Sequence, residues 1–197
     1  MVPPMDAAFG FEAVTPERWP ALERLFGERG ACGGCWCMWF RLPRAEYEAG
    51  KGEANRGRLR ERVADAARPS PGIMALRGDV PAGWCAVAPR DEYVRLRTTR
   101  TMVGPDDLPV WSILCLFVTP AERGRGLSVD LIDAACRHAF EHGAPAVEAY
   151  PIVPRTDQVP PVFASQGILS AYLAAGFEVV GRPSATRAVV RRFAAGA

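Results

Sequence analysis

Several things are missing from this chain, and each absence excludes a class of protein. Its 197 residues hold no apolar run approaching the ~20 that a membrane-spanning helix requires. Met1-Val2-Pro3-Pro4-Met5-Asp6 is not a basic segment followed by an apolar one, so no secretory leader is expected. Neither sign of charge dominates: 24 Lys and Arg stand against 22 Asp and Glu, a net charge of +2. That balance argues against nucleic acid or an anionic membrane as the main partner. Most of the arginine excess is local (Arg56, Arg58, Arg60 and Arg62), and it reads as the solvated positions of a helix. No repeat, low-complexity tract or composition shift divides the chain. Six cysteines without an export signal point to reduced thiols in a cytoplasmic protein rather than a disulfide scaffold. What is present is 49% apolar and 23% charged, the composition of one well-cored domain over residues 1–197.

Periodicity orders that domain. Residues 9–14 alternate as a short strand, and Thr15-Pro16-Glu17-Arg18 then starts a helix carrying Trp19, Leu22, Leu25 and Phe26 on one face. A second helix is predicted over 55–68, stopped by Pro69 and Pro71. Residues 73–76 and 82–88 read as a hairpin around Arg77-Gly78-Asp79-Val80-Pro81. The apolar run 111–118 suits a central strand buried on both faces. A long helix is expected over 127–142, with Leu127, Leu131, Ile132, Ala135 and Ala139 on one side, and then a strand over 146–152. The proline-rich stretch 151–167 lacks periodicity and reads as a long functional loop. A short helix over 168–175 and strands over 177–180 and 186–193 complete a mixed α/β (α+β) order.

The segment richest in chemistry joins the buried strand to the long helix: Thr119-Pro120-Ala121-Glu122-Arg123-Gly124-Arg125-Gly126-Leu127-Ser128. Two glycines permit a tight turn. The first amides of the helix have no internal partner and sit at the positive end of its dipole, and two arginines add charge. Such a turn holds phosphate oxygens. It has no lysine, so it is not a Walker loop. Val129 stands where a dinucleotide fingerprint would need its third glycine.

The turn resembles the acetyl-CoA signature of the GNAT superfamily of N-acyltransferases, Arg/Gln-x-x-Gly-x-Gly/Ala, here Arg123-x-x-Gly126-x-Ser128. Ser128 departs from the Gly or Ala of that pattern. The family's later landmark, Tyr-x-x-x-Gly-Phe, is matched by Tyr172 through Gly176-Phe177, and Leu116-Phe117-Val118 precedes the turn as expected. The likeness runs from about Phe9 to Phe193. It implies one domain with a mixed central sheet of about six to seven strands, a splayed parallel pair, and about four flanking helices.

The resemblance also implies an activity: transfer of an acetyl group from acetyl-CoA to a primary amine by direct attack on the thioester. Leu116, Phe117 and Val118 would then bond pantetheine through main-chain groups, and Arg123, Gly124, Arg125, Gly126, Leu127 and Ser128 would hold the pyrophosphate. Tyr172 matches the phenol that protonates the departing thiolate. The glutamate that many relatives carry on the fourth strand is missing, since Ser112, Cys115 and Thr119 are the polar side chains there. Glu148, a carboxylate in mid-strand, becomes the candidate base or amine-binding group, with Tyr150 on the same face. The expected partner is a small-molecule amine, and the oligomeric state stays open between monomer and homodimer.

Cys32-Gly33-Gly34-Cys35-Trp36-Cys37 invites a metal reading, but structural zinc takes four ligands and no second cysteine pair follows. No metal is therefore expected. The cysteines read as small buried hydrophobes, with Trp36, Trp39 and Phe40 covering the acceptor side of the cleft, and a thiol that touches substrate or senses redox state as the sharper alternative. His138 and His142 read as solvated helix positions. The alternative to an enzyme is a non-catalytic acyl-CoA sensor with a regulatory cysteine segment.

Overall fold

Seven strands form one mixed sheet in the computed structural model, which describes residues 8–154 and 164–196. They are β1 (Phe9–Ala13), β2 (Gly72–Arg77), β3 (Val80–Pro89), β4 (Trp111–Val118), β5 (Ala146–Ala149), β6 (Glu178–Ser184) and β7 (Arg187–Phe193). Across the sheet the order is β1-β2-β3-β4-β5-β7-β6, and every neighbouring pair is antiparallel except β4 with β5. Every residue of β2 and β5 is buried, because helices cover both faces.

The helices are α1 (Trp19–Phe26), α2 (Arg44–Ala49), α3 (Glu53–Ala64), α4 (Leu127–Glu141) and α5 (Leu169–Ala174). α4 buries Leu127, Leu131, Ile132, Ala135 and Ala139, the stripe expected from its 3.6-residue period. With α5 it closes one face of the sheet over Cys85, Val87, Ile113, Val147 and Val190. The opposite face carries two clusters. In one, Trp19, Leu22, Phe26, Trp36 and Leu59 meet Met74, Trp84 and Ala86. In the other, Phe40, Tyr93, Leu96 and Met102 meet Leu114, Tyr150 and Val189.

One irregularity positions the functional cleft. β3 and β4 pair as Ala86↔Cys115 and then Val87↔Ile113, which leaves Leu114 as an extra residue on β4. This β-bulge turns Leu114 and Cys115 toward the same face, while Ile113 and Leu116 pack on the α4 side. A bulge bends its strand and increases the local twist. β4 accordingly leaves β5 there: their parallel pairing comprises Trp111↔Val147, Ser112↔Glu148 and Ile113↔Ala149 and goes no further. The strands splay as the resemblance implied.

The expected elements are present, with differences at their ends. α3 starts at Glu53 and stops at Ala64, where Asp65 turns extended. α2 has no counterpart among the predicted elements, since its six residues bury Tyr47 alone and give no readable period. The hairpin turn is tighter than predicted: Arg77 pairs with Val80 and Gly78 takes φ 58°. Of the loop expected over 151–167, residues 155–163 lie outside the described residues.

Deleting Leu114 tests the bulge. Without it the β3–β4 register becomes continuous and every later side chain keeps its face. The variant is expected to fold, to lengthen the β4–β5 ladder, and to bind coenzyme A at least about 10-fold more weakly, a change of about 1.4 kcal/mol read by calorimetry.

Candidate active site

Beyond the bulge, Cys115 through Val118 keep β3 on one side and have no β5 partner on the other. Peptide groups alternate along a strand, so half of the main-chain donors and acceptors there face the split. Leu116, Phe117 and Val118 are half-buried. Leu116 lies on the face carrying Tyr172, and Phe117 meets the edge of Phe26 at 6.1 Å on the other face. The Arg123 Nε donates to the Val118 carbonyl at 3.1 Å, so that carbonyl is already covered.

The split opens beside the start of α4. Gly124 (φ 74°) and Gly126 (φ 84°) both adopt left-handed backbone, and a methyl group at either would meet nothing within 4 Å. Glycine is needed here for conformation rather than for space. Gly126 caps α4, whose first internal bonds come from Val129 and Asp130 to the Gly126 carbonyl. Among the described residues the amides of Gly124, Arg125, Gly126, Leu127 and Ser128 have no acceptor. Arg123 and Arg125 are exposed beside them. The nearby carboxylate, Glu122, is held by Arg77 at 2.7 Å and lies 3.9 Å from Arg125. Free amides, a helix N-terminus and two guanidinium groups make this end of the split attractive to a diphosphate.

Tyr172, on α5, is fully buried and donates its hydroxyl to the Gln166 carbonyl at 3.0 Å. Burial holds its phenol well above the ordinary value of 10.0. Gly167 (φ 76°) makes room for it, since a methyl group there would lie 2.7 Å from Cε2 of Tyr172 and 3.4 Å from Leu116. The tyrosine is thereby lodged next to the unpaired half of β4.

Glu148 sits at the last stretch of β4–β5 pairing, opposite Ser112 on one side and Arg191 on the other. It has no exposed surface. Arg191 donates to it from Nη2 at 2.6 Å and Nε at 3.2 Å, and the Tyr150 hydroxyl donates at 2.6 Å. Arg90 stands 3.6 Å away. The Ser112 hydroxyl lies 3.5 Å from that of Tyr150, itself fully buried. Glu148, the candidate base or amine-binding group, occupies an enclosed ion-pair network, because the antiparallel register brings Arg191 directly opposite.

The aromatic and cysteine segment divides. Trp36 is core, stacked on Trp19 at 6.0 Å and edge-on to Phe26 at 5.4 Å, so it does not line the cleft as expected. Trp39 is half-buried, carries Arg95 over its ring at 3.7 Å, and packs beside Phe40 and Tyr47. Cys37 is buried and Cys35 half-buried, but Cys32 is exposed. Among the described residues no group of three His, Cys, Asp or Glu side chains could hold a metal ion. His138 is buried against Trp111 with Nε2 3.1 Å from the Ser70 carbonyl, and only His142 is solvated as expected. Arg62, expected on a solvated face, is instead paired with Glu92 at 2.8 Å.

Leu114, Gln166 and Gly167 were not among the sequence candidates. Nothing in an apolar run marks which residue bulges, and Gln166 belongs to the aperiodic loop. Among the described residues no helix is long and apolar enough to cross a membrane.

Comparison with known proteins places this geometry. The model of a family described as "Acetyltransferase (GNAT) family" matches residues 36–160. An acetyltransferase of the GNAT family from Listeria monocytogenes is similar at TM-score 0.55 and 13% identity, over 98% of this chain and 99% of that one. The PaiA N-acetyltransferase from Thermoplasma acidophilum, in complex with coenzyme A, is similar at TM-score 0.53 and 13% identity, over 95% and 99%. Aminoglycoside N-acetyltransferase AAC(6')-Iy, in complex with CoA, is similar at TM-score 0.54 and 21% identity, over 92% and 95%. Likeness at these identities carries the fold alone. No curated protein matches the chain.

The buried network yields a stability test. Arg191→Met leaves Glu148 short of its main partner and is expected to cost about 3–5 kcal/mol in urea melts. Removing both charges in Glu148→Met/Arg191→Met should recover much of that loss, because no ion is then left buried and unpaired.

Proposed function

This chain belongs to the GNAT family of acetyltransferases, and from that premise we propose that its acceptor is a primary amine of a small molecule, acetylated from acetyl-CoA. The observation that carries the reading is the continuity of the β4–β5 split with the acceptor-free amides at the start of α4. A small acceptor is favoured by the covering of the other end. There Phe40, Tyr93, Leu96 and Met102, from the 36–42 segment and the turns of 93–102, close over Leu114 and Tyr150.

Acetyl-CoA supplies the acetyl thioester. The main chain of Leu116 and Phe117 is open to pantetheine, with the Val118 carbonyl reserved by Arg123. The amides from Gly124 to Ser128, with Arg123 and Arg125 beside them, hold the diphosphate. Tyr172 keeps a proton at its hydroxyl throughout the working pH range and, on turning from the Gln166 carbonyl, donates to the sulfur that departs. Glu148, with both oxygens engaged, acts as a positioning residue: it fixes the Tyr150 hydroxyl at the floor of the split. Trp39 and Tyr150 bound the acceptor side.

Two measurements test the assignment. Calorimetry should show coenzyme A binding to the wild type, and free thiol should be released when amines are supplied with acetyl-CoA. Tyr172→Phe is expected to lower kcat by about 100-fold while leaving coenzyme A affinity unchanged. Full turnover in that variant would remove Tyr172 from the mechanism. The sign of the pH effect follows from burial. A phenol raised above 10.0 stays protonated as pH climbs through that value, so any alkaline fall in kcat below pH 10.0 must persist in Tyr172→Phe.

A further inference from the structure

We propose that Cys37 and Cys115 form an oxidation site, in which Cys37 attacks hydrogen peroxide and Cys115 resolves the product to a disulfide. The inference does not depend on which acceptor the enzyme uses.

Their sulfurs lie 3.1 Å apart although the residues are 78 positions apart in the chain, and both thiols are free. The backbone is forced to bring them together. Trp36 (φ 45°) and Cys37 (φ 57°) are consecutive non-glycine residues in the left-handed region, which side chains with a Cβ seldom enter. That double turn lets Trp36 stack on Trp19 while Cys37 points back to β4. Strain of this kind is held only when the surroundings over-determine it, and it gathers at functional positions.

The surroundings of Cys37 favour a negative sulfur. The Trp84 indole N–H donates to Cys37 Sγ at 3.1 Å, inside the core. Arg41 and Arg62, with side chains 7% and 9% exposed, share the single carboxylate of Glu92. The Arg41 Nε and Arg62 Nη1 have no hydrogen-bond partner among the described residues. Two buried cations against one carboxylate leave an uncompensated positive charge, and Arg41 is the one whose field reaches Cys37. A Cys37 thiolate would balance it. The thiol titrates in keeping with this: contact with Cys115, the Trp84 donor and Arg41 lower Cys37 against its burial, whereas the shared proton and burial raise Cys115. Burial first, and then Cys37, pushes Cys35 up to about 11, so the neighbouring cysteine is not the reactive one.

The reaction balances. Cys37 sulfur attacks one peroxide oxygen, the O–O bond breaks, and water departs as Cys37 becomes a sulfenic acid. Cys115 sulfur then attacks the sulfenic sulfur; the S–S bond forms, the S–O bond breaks, and the hydroxide leaves as water with the Cys115 proton. One peroxide is reduced to two waters while two thiols become one disulfide. An S–S bond of about 2.05 Å requires the sulfurs to close by roughly 1 Å from where they stand. The bond would tie the 27–42 segment to the half of β4 that has left β5.

The reduced full-length protein should be treated with hydrogen peroxide, alkylated, and mapped by mass spectrometry without reductant. The expected product loses two hydrogens, joins the Cys37 and Cys115 peptides, leaves Cys32, Cys35, Cys85 and Cys136 alkylated, and reverts with dithiothreitol. In Cys115→Ser, dimedone should trap Cys37 as the sulfenic acid; in Cys37→Ser, Cys115 should remain alkylatable. Oxidation of Cys32 or Cys35 ahead of the pair, or full alkylation of Cys37 and Cys115 after peroxide, overturns the proposal. The wild-type map decides the matter even if a variant fails to fold. Because it reads thiols and not turnover, it also stands apart from the acetyl-transfer assays.

Discussion

A ladder of hydrogen bonds that stops early governs this molecule. β4 and β5 begin as an ordinary parallel pair, and one surplus residue, Leu114, bends β4 away after Ile113↔Ala149. Main-chain groups at the centre of a sheet normally bond to a neighbour, because leaving them dry and unpaired is costly. Here β4 has no β5 partner beyond Ile113, and the strand leads on to the acceptor-free amides ahead of α4. On the proposed reading, pantetheine and diphosphate are met chiefly by main-chain groups, with Arg123 and Arg125 adding charge at the diphosphate. That explains how an apolar strand and a turn with two glycines suffice for a large cosubstrate, and why Ser128 can replace a smaller residue without removing a donor.

Rigidity beside the split compensates for the missing ladder. Immediately before the strands part, Glu148 is clamped by Arg191 and Tyr150 with Ser112 at hand. Such a network adds little net stability, since the ions must be stripped of water, but removing one member is punished. Its effect is specificity of arrangement. β5 cannot slip against β7 without separating Glu148 from Arg191, and so the end of the pairing, and with it the mouth of the cleft, stays where Tyr172 can reach the unpaired half of β4.

Much of this was legible in the amino-acid order, for identifiable reasons. The strand 111–118 and the helix from Leu127 show clear apolar patterns, and the turn between them carries glycines whose positive φ angles the chain needs. Glu148 stood out as a carboxylate in mid-strand. Its partner could not be foreseen, because a register linking residues 43 apart is a property of the assembled sheet. The bulge was hidden for another reason: both faces of β4 are covered, so alternation, the signal a bulge would interrupt, is absent from the run. Trp36 and His138 illustrate a third limit. An aromatic or imidazole ring serves equally well in a core or a cleft, and only packing against Trp19 or Trp111 distinguishes the two.

β4 thus has different neighbours on its two faces beyond the bulge, and they follow from the same irregularity. Turning Leu114 and Cys115 to one side gives Leu114 to the cluster of Phe40, Tyr93 and Tyr150 and Cys115 to the cysteine segment, while Leu116 is returned to the face of Tyr172. A regular strand would have placed Leu114 and Cys115 on opposite faces. The divergence from β5 and the placing of Leu114 beside Cys115 are in this sense one structural event, so a change in β4 that mends the ladder takes Leu114 from that face while Cys115 keeps it.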